Sequence, residues 1–186
     1  MNLVIHKFKI ASVEPFALLT HNPAQMRRSS DGPKTKKIPT PEEEAKAGLY
    51  LDGEGHYCIP SMSFRSSLLN SLKNKKIGKA SAISVFQAAV FNVDELSVLV
   101  DPGNEEPLSA YRIDTRRAIV QRQGILRSRP RFDKWGCWLF LQIDEDITNA
   151  KQVEENLKIA GQIIGVGDFR IEKRGMFGKF AVELVE

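Results

Sequence analysis

The eight residues Gly136–Ile143, GCWLFLQI, constrain the fold more than any other segment. A run so short and so apolar is too brief for a buried helix and suits a strand inside a sheet. Trp138 and Phe140 sit in that strand and are expected in the core. Such a strand needs partners, and the chain supplies them. Leu3–Val13 alternates through Val4, Ile5, Phe8 and Ile10, Phe91–Val100 returns to strand character before Asp101-Pro102-Gly103, and Phe180–Val185 alternates again. Two helices separate these strands. The first opens with Ser63 as N-cap and carries Phe64, Leu68, Leu69 and Leu72 on one face, with a shorter helix over Ala80–Ala89 behind it. The second opens at Asn149 and Gln152, turns Val153, Leu157, Ala160 and Ile164 inward, and ends at Gly165 and Gly167. Leu49–Leu51 and His56–Ile59 flank Asp52-Gly53-Glu54-Gly55, a hairpin signal.

Read in order, the elements run β-α-β-β-α-β. The fold class is α+β, on the ferredoxin-like or RRM-like plan. One domain over residues 1–186 accommodates it, with an extended polar loop at 20–47 and a basic hairpin insertion at 108–135. The loop has four prolines and few apolar residues, so on its own it buries too little to offset its ordering entropy. Its halves carry opposite charge, Arg27–Lys37 against Glu42-Glu43-Glu44, which suits a segment lying across a neighbour or clamping a bound strand.

The hairpin insertion is the most charged part of the chain. Between Tyr111 and Trp135 stand Arg112, Arg116, Arg117, Arg122, Arg127, Arg129, Arg131 and Lys134, against Asp114 and Asp133. That segment is more positive than the whole protein, whose formal net charge is +4. Guanidinium forks match phosphate oxygens in pairs and stack on bases, which an ammonium cannot do. Charge of this density exceeds what is needed to protect a sheet edge from mispairing. Phe132, Trp135, Phe169 and Phe177 flank the basic stretches as candidate stacking residues.

A second basic segment, Gly161–Phe180, follows the last helix. Gly165-Val166-Gly167 does not qualify as a nucleotide loop, because such a loop follows a strand and opens a helix. Two readings stand. The glycines cap the helix and form a turn, or they make a backbone platform that a ligand approaches, with Arg170, Lys173, Arg174 and Lys179 supplying charge.

The run IPSMSFRSSLLNSL (Ile59–Leu72) after a strand, the LYLDGEG of Leu49–Gly55, and the terminal GVGDFRIEKRGMFGKF (Gly165–Phe180) resemble the repeat-associated mysterious protein (RAMP) superfamily. The pattern is similar to the RNA-binding backbone subunit of CRISPR effector complexes and to small phage and prophage proteins. It covers about two-thirds of the chain, and the family's usual glycine after the proline is here Ser61. The resemblance implies a single-stranded RNA or DNA partner, side-by-side assembly into an oligomer or multi-subunit ribonucleoprotein, and a role in antiviral defence. The residues expected to bind nucleic acid are the hairpin arginines, Trp135, Arg65, Arg27, Arg28, Gly165, Gly167, Arg170, Lys173, Arg174, Phe177 and Lys179.

Catalytic signals are sparse. His6, His21 and His56 are far apart in sequence, and His21, beside Thr20 and Asn22, reads as a solvated loop residue. Asp31 lies in the first excursion, where some RNA-cutting RAMP backbone subunits place a catalytic aspartate. An endoribonuclease using His21 or Asp31 is therefore an alternative to pure binding, and a structural subunit of a phage or defence complex is another. No metal cluster, nucleophile elbow, P-loop or cofactor motif is present. Cys58 and Cys137 have no ligand spacing and read as buried thiols of a cytoplasmic protein. Neither a signal peptide nor a membrane partner is expected.

Overall fold

The computed structural model describes residues 1–24, 39–120 and 123–185. In chain order its elements are β1 (Leu3–Ser12), β2 (Leu18–Leu19), α1 (Pro41–Ala47), β3 (Tyr50–Leu51), β4 (Tyr57–Pro60), α2 (Met62–Ser71), β5 (Lys76–Ile77), β6 (Ala80–Ser81), α3 (Ala82–Ala89), β7 (Val90–Asn92), β8 (Leu96–Val98), β9 (Arg112–Val120), β10 (Gln123–Phe132), β11 (Gly136–Asp144), α4 (Ala150–Ile163) and β12 (Phe180–Leu184). A 3₁₀ turn covers Ile171–Lys173.

The main sheet has four strands in the order β12-β1-β11-β7, every neighbour antiparallel. β11 is central, and it pairs with β1 from Leu3 opposite Asp144 to Ala11 opposite Gly136. Its side chains alternate. Cys137, Leu139, Leu141 and Ile143 are buried, whereas Trp138 and Phe140 are half-buried on the opposite face. The expectation that both aromatics belong to the core is therefore corrected: among the described residues the helices pack on one face of the sheet, and Trp138 and Phe140 point to the other. Phe8, Ile10, Phe180 and Val182 complete the covered face, and α2 and α4 pack there through Phe64, Leu68, Val153, Leu157 and Ala160. The Phe64 and Phe180 rings meet edge to face at 5.4 Å.

Two smaller three-stranded sheets stand beside it, β2-β10-β9 and β3-β4-β8. The stretch expected as one strand over Phe91–Val100 is two. β7 joins β11 in the main sheet, the chain turns at Asp94-Glu95, and β8 joins β4 in another sheet. The start of α2 also differs from expectation. Ser61, not Ser63, is the N-cap, and its hydroxyl is engaged by Ser97 at 2.8 Å instead of capping the helix. At α4 the cap is as the sequence indicates, with Asn149 accepting from the Gln152 amide at 2.9 Å.

Part of the polar excursion is ordered by ordinary helix chemistry. Thr40 and Glu43 form a reciprocal capping box, Pro41 begins α1, and the acids Glu42–Glu44 lie in its first turn, where the helix dipole favours them. The basic half of the excursion lies outside the described residues.

Gly161 shows how closely α4 lies on β12, since an added Cβ would stand 2.0 Å from the Phe180 carbonyl oxygen. Gly161→Ala should cost about 1–3 kcal/mol through overpacking, read as a lower urea midpoint at unchanged slope. Gly53→Ala, where a Cβ meets nothing within 4 Å, should shift stability by under about 0.5 kcal/mol.

Candidate functional site

The chain from Gly165 to Gly178 is threaded between the end of α4 and the Ala17–Thr20 segment. Val166 N–H donates to the Gly178 carbonyl at 2.9 Å, Gly178 N–H to that of Ala17 at 2.8 Å, and Asp168 N–H to that of Leu19 at 2.8 Å. Those contacts leave no room for side chains. A Cβ on Gly178 would lie 1.8 Å from the Val166 oxygen and one on Gly175 1.5 Å from that of Phe169. The glycines are thus required by the protein's own backbone, whether or not a ligand also approaches. The close approach that the platform reading assigns to a ligand is made at these positions by the chain itself.

The loop walls two clefts. The first, about 470 Å³, lies between Gly165–Arg170 and the polar face of α2. Ser63, Ser66, Ser67 and Asn70 recur at the spacing that places them on one side of a helix. The first turn of α2 opens into this cleft at Met62 and Ser63, with no side-chain cap on its amides. A helix N-terminus presents N–H groups and partial positive charge to an anion. Ser67 is 2% exposed and, among the described residues, its hydroxyl has no hydrogen-bond partner. Arg170 reaches the same space, tethered by Glu172 at 2.8 Å.

His21 also lines this cleft and is half-buried, correcting its reading as a solvated loop residue. Its backbone carbonyl accepts from the Tyr50 hydroxyl at 2.8 Å, while Thr20 and Asn22 on either side bond to the carbonyls of Gly48 and Leu49. Burial lowers its pKa from the ordinary 6.5, opposed by Asp168 and reinforced by Arg129 and Arg127. The ring is accordingly neutral near pH 7.

The second cleft, about 480 Å³, lies between the hairpin and the far side of the loop, lined by Arg116, Arg117, Phe169, Arg174, Gly175, Met176 and Phe177. Here the sequence-selected Arg116, Arg117, Arg174 and Phe177 come together. Arg117 and Arg174 are exposed and, among the described residues, have no carboxylate partner.

The other described hairpin arginines are engaged within the fold. Arg112 pairs with Asp133 at 3.1 Å, and Arg131 with Asp133 at 2.6 Å and Asp114 at 3.5 Å. Arg116 is held by Asp114 at 2.5 Å and lies over the Phe177 ring at 4.7 Å. Arg129 pairs with Asp168 and covers the Phe169 ring at 4.7 Å. Arg127 meets Glu44 of α1 at 2.7 Å, and the same carboxylate accepts from the Ser128 amide at 2.9 Å. Glu44 and Asp168 come from distant segments, so counting charge within the hairpin overstated its free positive charge.

The remaining sequence-selected residues separate. Gly165, Gly167 and Arg170 line the first cleft. Arg65 lines neither, its guanidinium donating to the Val90 and Gln87 carbonyls at 2.6 and 2.9 Å. Lys173 is exposed within the loop, and Lys179 sits over the Phe16 ring at 4.6 Å. Trp135 is 0% and Phe132 2% exposed, so neither has a face to offer a base. Phe177 is 4% exposed and its ring is spent on Arg116. Arg27, Arg28, Asp31 and Arg122 lie outside the described residues.

Sequence reasoning missed the small polar stripe on α2, along with Tyr50 and Met176. The stripe was legible as the reverse of the helix's apolar face, but such a stripe ordinarily faces solvent. Among the described residues no group of three His, Cys, Asp or Glu could hold a metal ion, and no helix is long and apolar enough to cross a membrane.

The sequence matches no family model and no curated protein. Among solved structures, a chain of the cryo-EM structure of the Type III-B Cmr-beta bound to cognate target RNA superposes with a TM-score of 0.60 at 12% identity. The match covers 99% of this chain and 61% of that one, so this protein spans less than two-thirds of its length. At that identity the likeness is one of fold, a mixed arrangement of helices and antiparallel sheets.

Two outcomes test this geometry. Glu44→Ala strands a partly buried guanidinium and an amide, and should cost about 1–3 kcal/mol in chemical denaturation. The His21 pKa is depressed in the folded state, so its contribution to stability is present above about pH 6.5 and lost as pH falls through the folded value. His21→Gln should flatten that acid-side decline, and an NMR titration of the ring should give a midpoint below 6.5.

Proposed function

We propose that the protein is a RAMP-type, ferredoxin-like subunit that binds single-stranded RNA along its phosphate backbone within a CRISPR-like ribonucleoprotein. The observation that carries the reading is the pair of clefts sharing one loop. The first offers amides of α2 without a side-chain cap together with Arg170, and the second offers the guanidiniums of Arg117 and Arg174, which have no carboxylate partner among the described residues. Both are arrangements for oxyanions, and neither selects a base by its edge. The sheet order β12-β1-β11-β7, with helices following β1 and β11, agrees with the ferredoxin-like plan. The Cmr-beta structure, described as bound to cognate target RNA, supports the choice of RNA.

A second reading, endoribonuclease, draws on the neutral His21 ring in the first cleft, where a proton acceptor could approach a bound strand. Loss of labelled-RNA cleavage on His21→Ala would favour it, and intact RNA throughout would leave binding alone.

The test of binding follows from which arginines lack a carboxylate partner among the described residues. Arg117→Ala with Arg174→Ala should weaken binding to single strands of every sequence, and each lost phosphate contact should lower the salt slope by about 0.7. Lysine at both positions should restore part of the affinity, since charge returns without the bidentate fork. Arg112→Ala, Arg127→Ala and Arg129→Ala should act mainly on stability. Unchanged affinity across salt concentrations in the folded double variant would remove the second cleft from the RNA path.

A further inference from the structure

The face of the main sheet opposite the helices carries a second arrangement suited to single strands, and no residue of that arrangement lines either cleft. On β11, Trp138 and Phe140 project to this face at a two-residue interval, roughly 7 Å apart along the strand. On β1, Lys9 lies directly opposite Trp138 and Lys7 opposite Phe140. Phe91 of β7 and Ile5 of β1 both stand opposite Gln142 and are 40% and 54% exposed. Aromatic rings therefore stand at the middle of the antiparallel sheet, on its face away from the helices, with ammonium groups beside them.

The geometry points to a second binding site on this face for single-stranded RNA, with bases stacked on Trp138 and Phe140 and a phosphate held by Lys7. The state of Lys7 supports this occupant. Its ammonium rests 3.9 Å from the Trp138 centroid and 6.0 Å from that of Phe140 and, among the described residues, has no carboxylate partner. A ring–ammonium contact at a half-exposed site is weaker than a base stack. An incoming nucleotide can take the ring and give the displaced ammonium a phosphate. Lys9 is less available, being paired with Glu105 and placed opposite Glu183 of β12. The strand therefore runs over β1 and β11 towards Phe91 and away from the β12 edge. Sheet aromatics stacking two or three bases are an established mode of single-strand recognition, and here the two cations supply the charge complementarity that a purely apolar docking face lacks.

The full chain carries two tryptophans, and Trp135 is 0% exposed, so surface quenching reports on Trp138. A fluorescent oligouridine decamer would be titrated against the protein, following anisotropy and tryptophan emission together. A 4-thiouridine version would map crosslinks, and light scattering would give the mass. Emission should fall as RNA binds, and crosslinks should include Trp138 or Phe140. Lys7→Ala with Phe140→Leu should abolish the quenching and weaken binding on the order of tenfold at unchanged melting temperature. Arg117→Ala with Arg174→Ala should weaken binding yet retain the quenching at saturation. Binding without quenching, with crosslinks confined to the two clefts, would overturn the sheet site and leave the cleft reading standing. A change of oligomeric mass in the Lys7→Ala, Phe140→Leu variant with RNA affinity intact would overturn it too, assigning the face to a protein contact. Quenching that survives only in the cleft variant's absence would show the face acting through the clefts and overturn its independence.

Discussion

The backbone of the glycine loop lies against two other backbones with no side chain between them, and the arrangement of the candidate site depends on that. Gly178 needs its positive φ of 74° and its lack of a Cβ to let Val166 close on it, and Gly167, at 77°, lies in the same way against Leu19. Once the loop is seated, Asp168 faces Arg129, and Phe169 and Phe177 meet the guanidiniums of Arg129 and Arg116. The loop is thereby fastened to the hairpin on one side and to the Ala17–Thr20 segment on the other. Both clefts inherit their shape from this attachment. Neither a helix nor a strand alone defines either of them.

Much of the fold was readable in the sequence because the elements that build it obey local rules. β11 was visible as an apolar run, α4 from its cap and its apolar stripe, and the hairpin from alternation and Gly124. Where local rules competed with distant partners, the reading failed. Ser63, expected to cap α2, gives way to Ser61, whose hydroxyl is held by Ser97, thirty-six positions away. The strand expected over Phe91–Val100 divided because its halves found different sheets. Trp138 and Phe140 were assigned to the core because a one-dimensional run cannot say whether helices cover one face of a sheet or two.

The site was legible as composition and less so as geometry. The described arginines lie on the paired strands β9 and β10, but the availability of Arg127 and Arg129 is set by Glu44 and Asp168, which no window on those strands contains. An arginine-rich surface in a folded protein is partly a scaffold, and the residues left for a ligand are the remainder. Arg117 and Arg174 belong to that remainder. Their cleft is built by a loop whose glycines serve the fold first.

The buried cysteines give the molecule a chemical silence. Burial pushes the Cys58 thiol up to about 11 and raises that of Cys137 still further. At neutral pH the thiolate fraction of Cys58 is then about one in ten thousand, and Cys137 is 2% exposed. A maleimide or a spin label therefore meets almost no native target in the folded protein. A single cysteine introduced at an exposed rim becomes a uniquely addressable position, so the native chain can serve as its own background for site-directed probes without first replacing either core thiol.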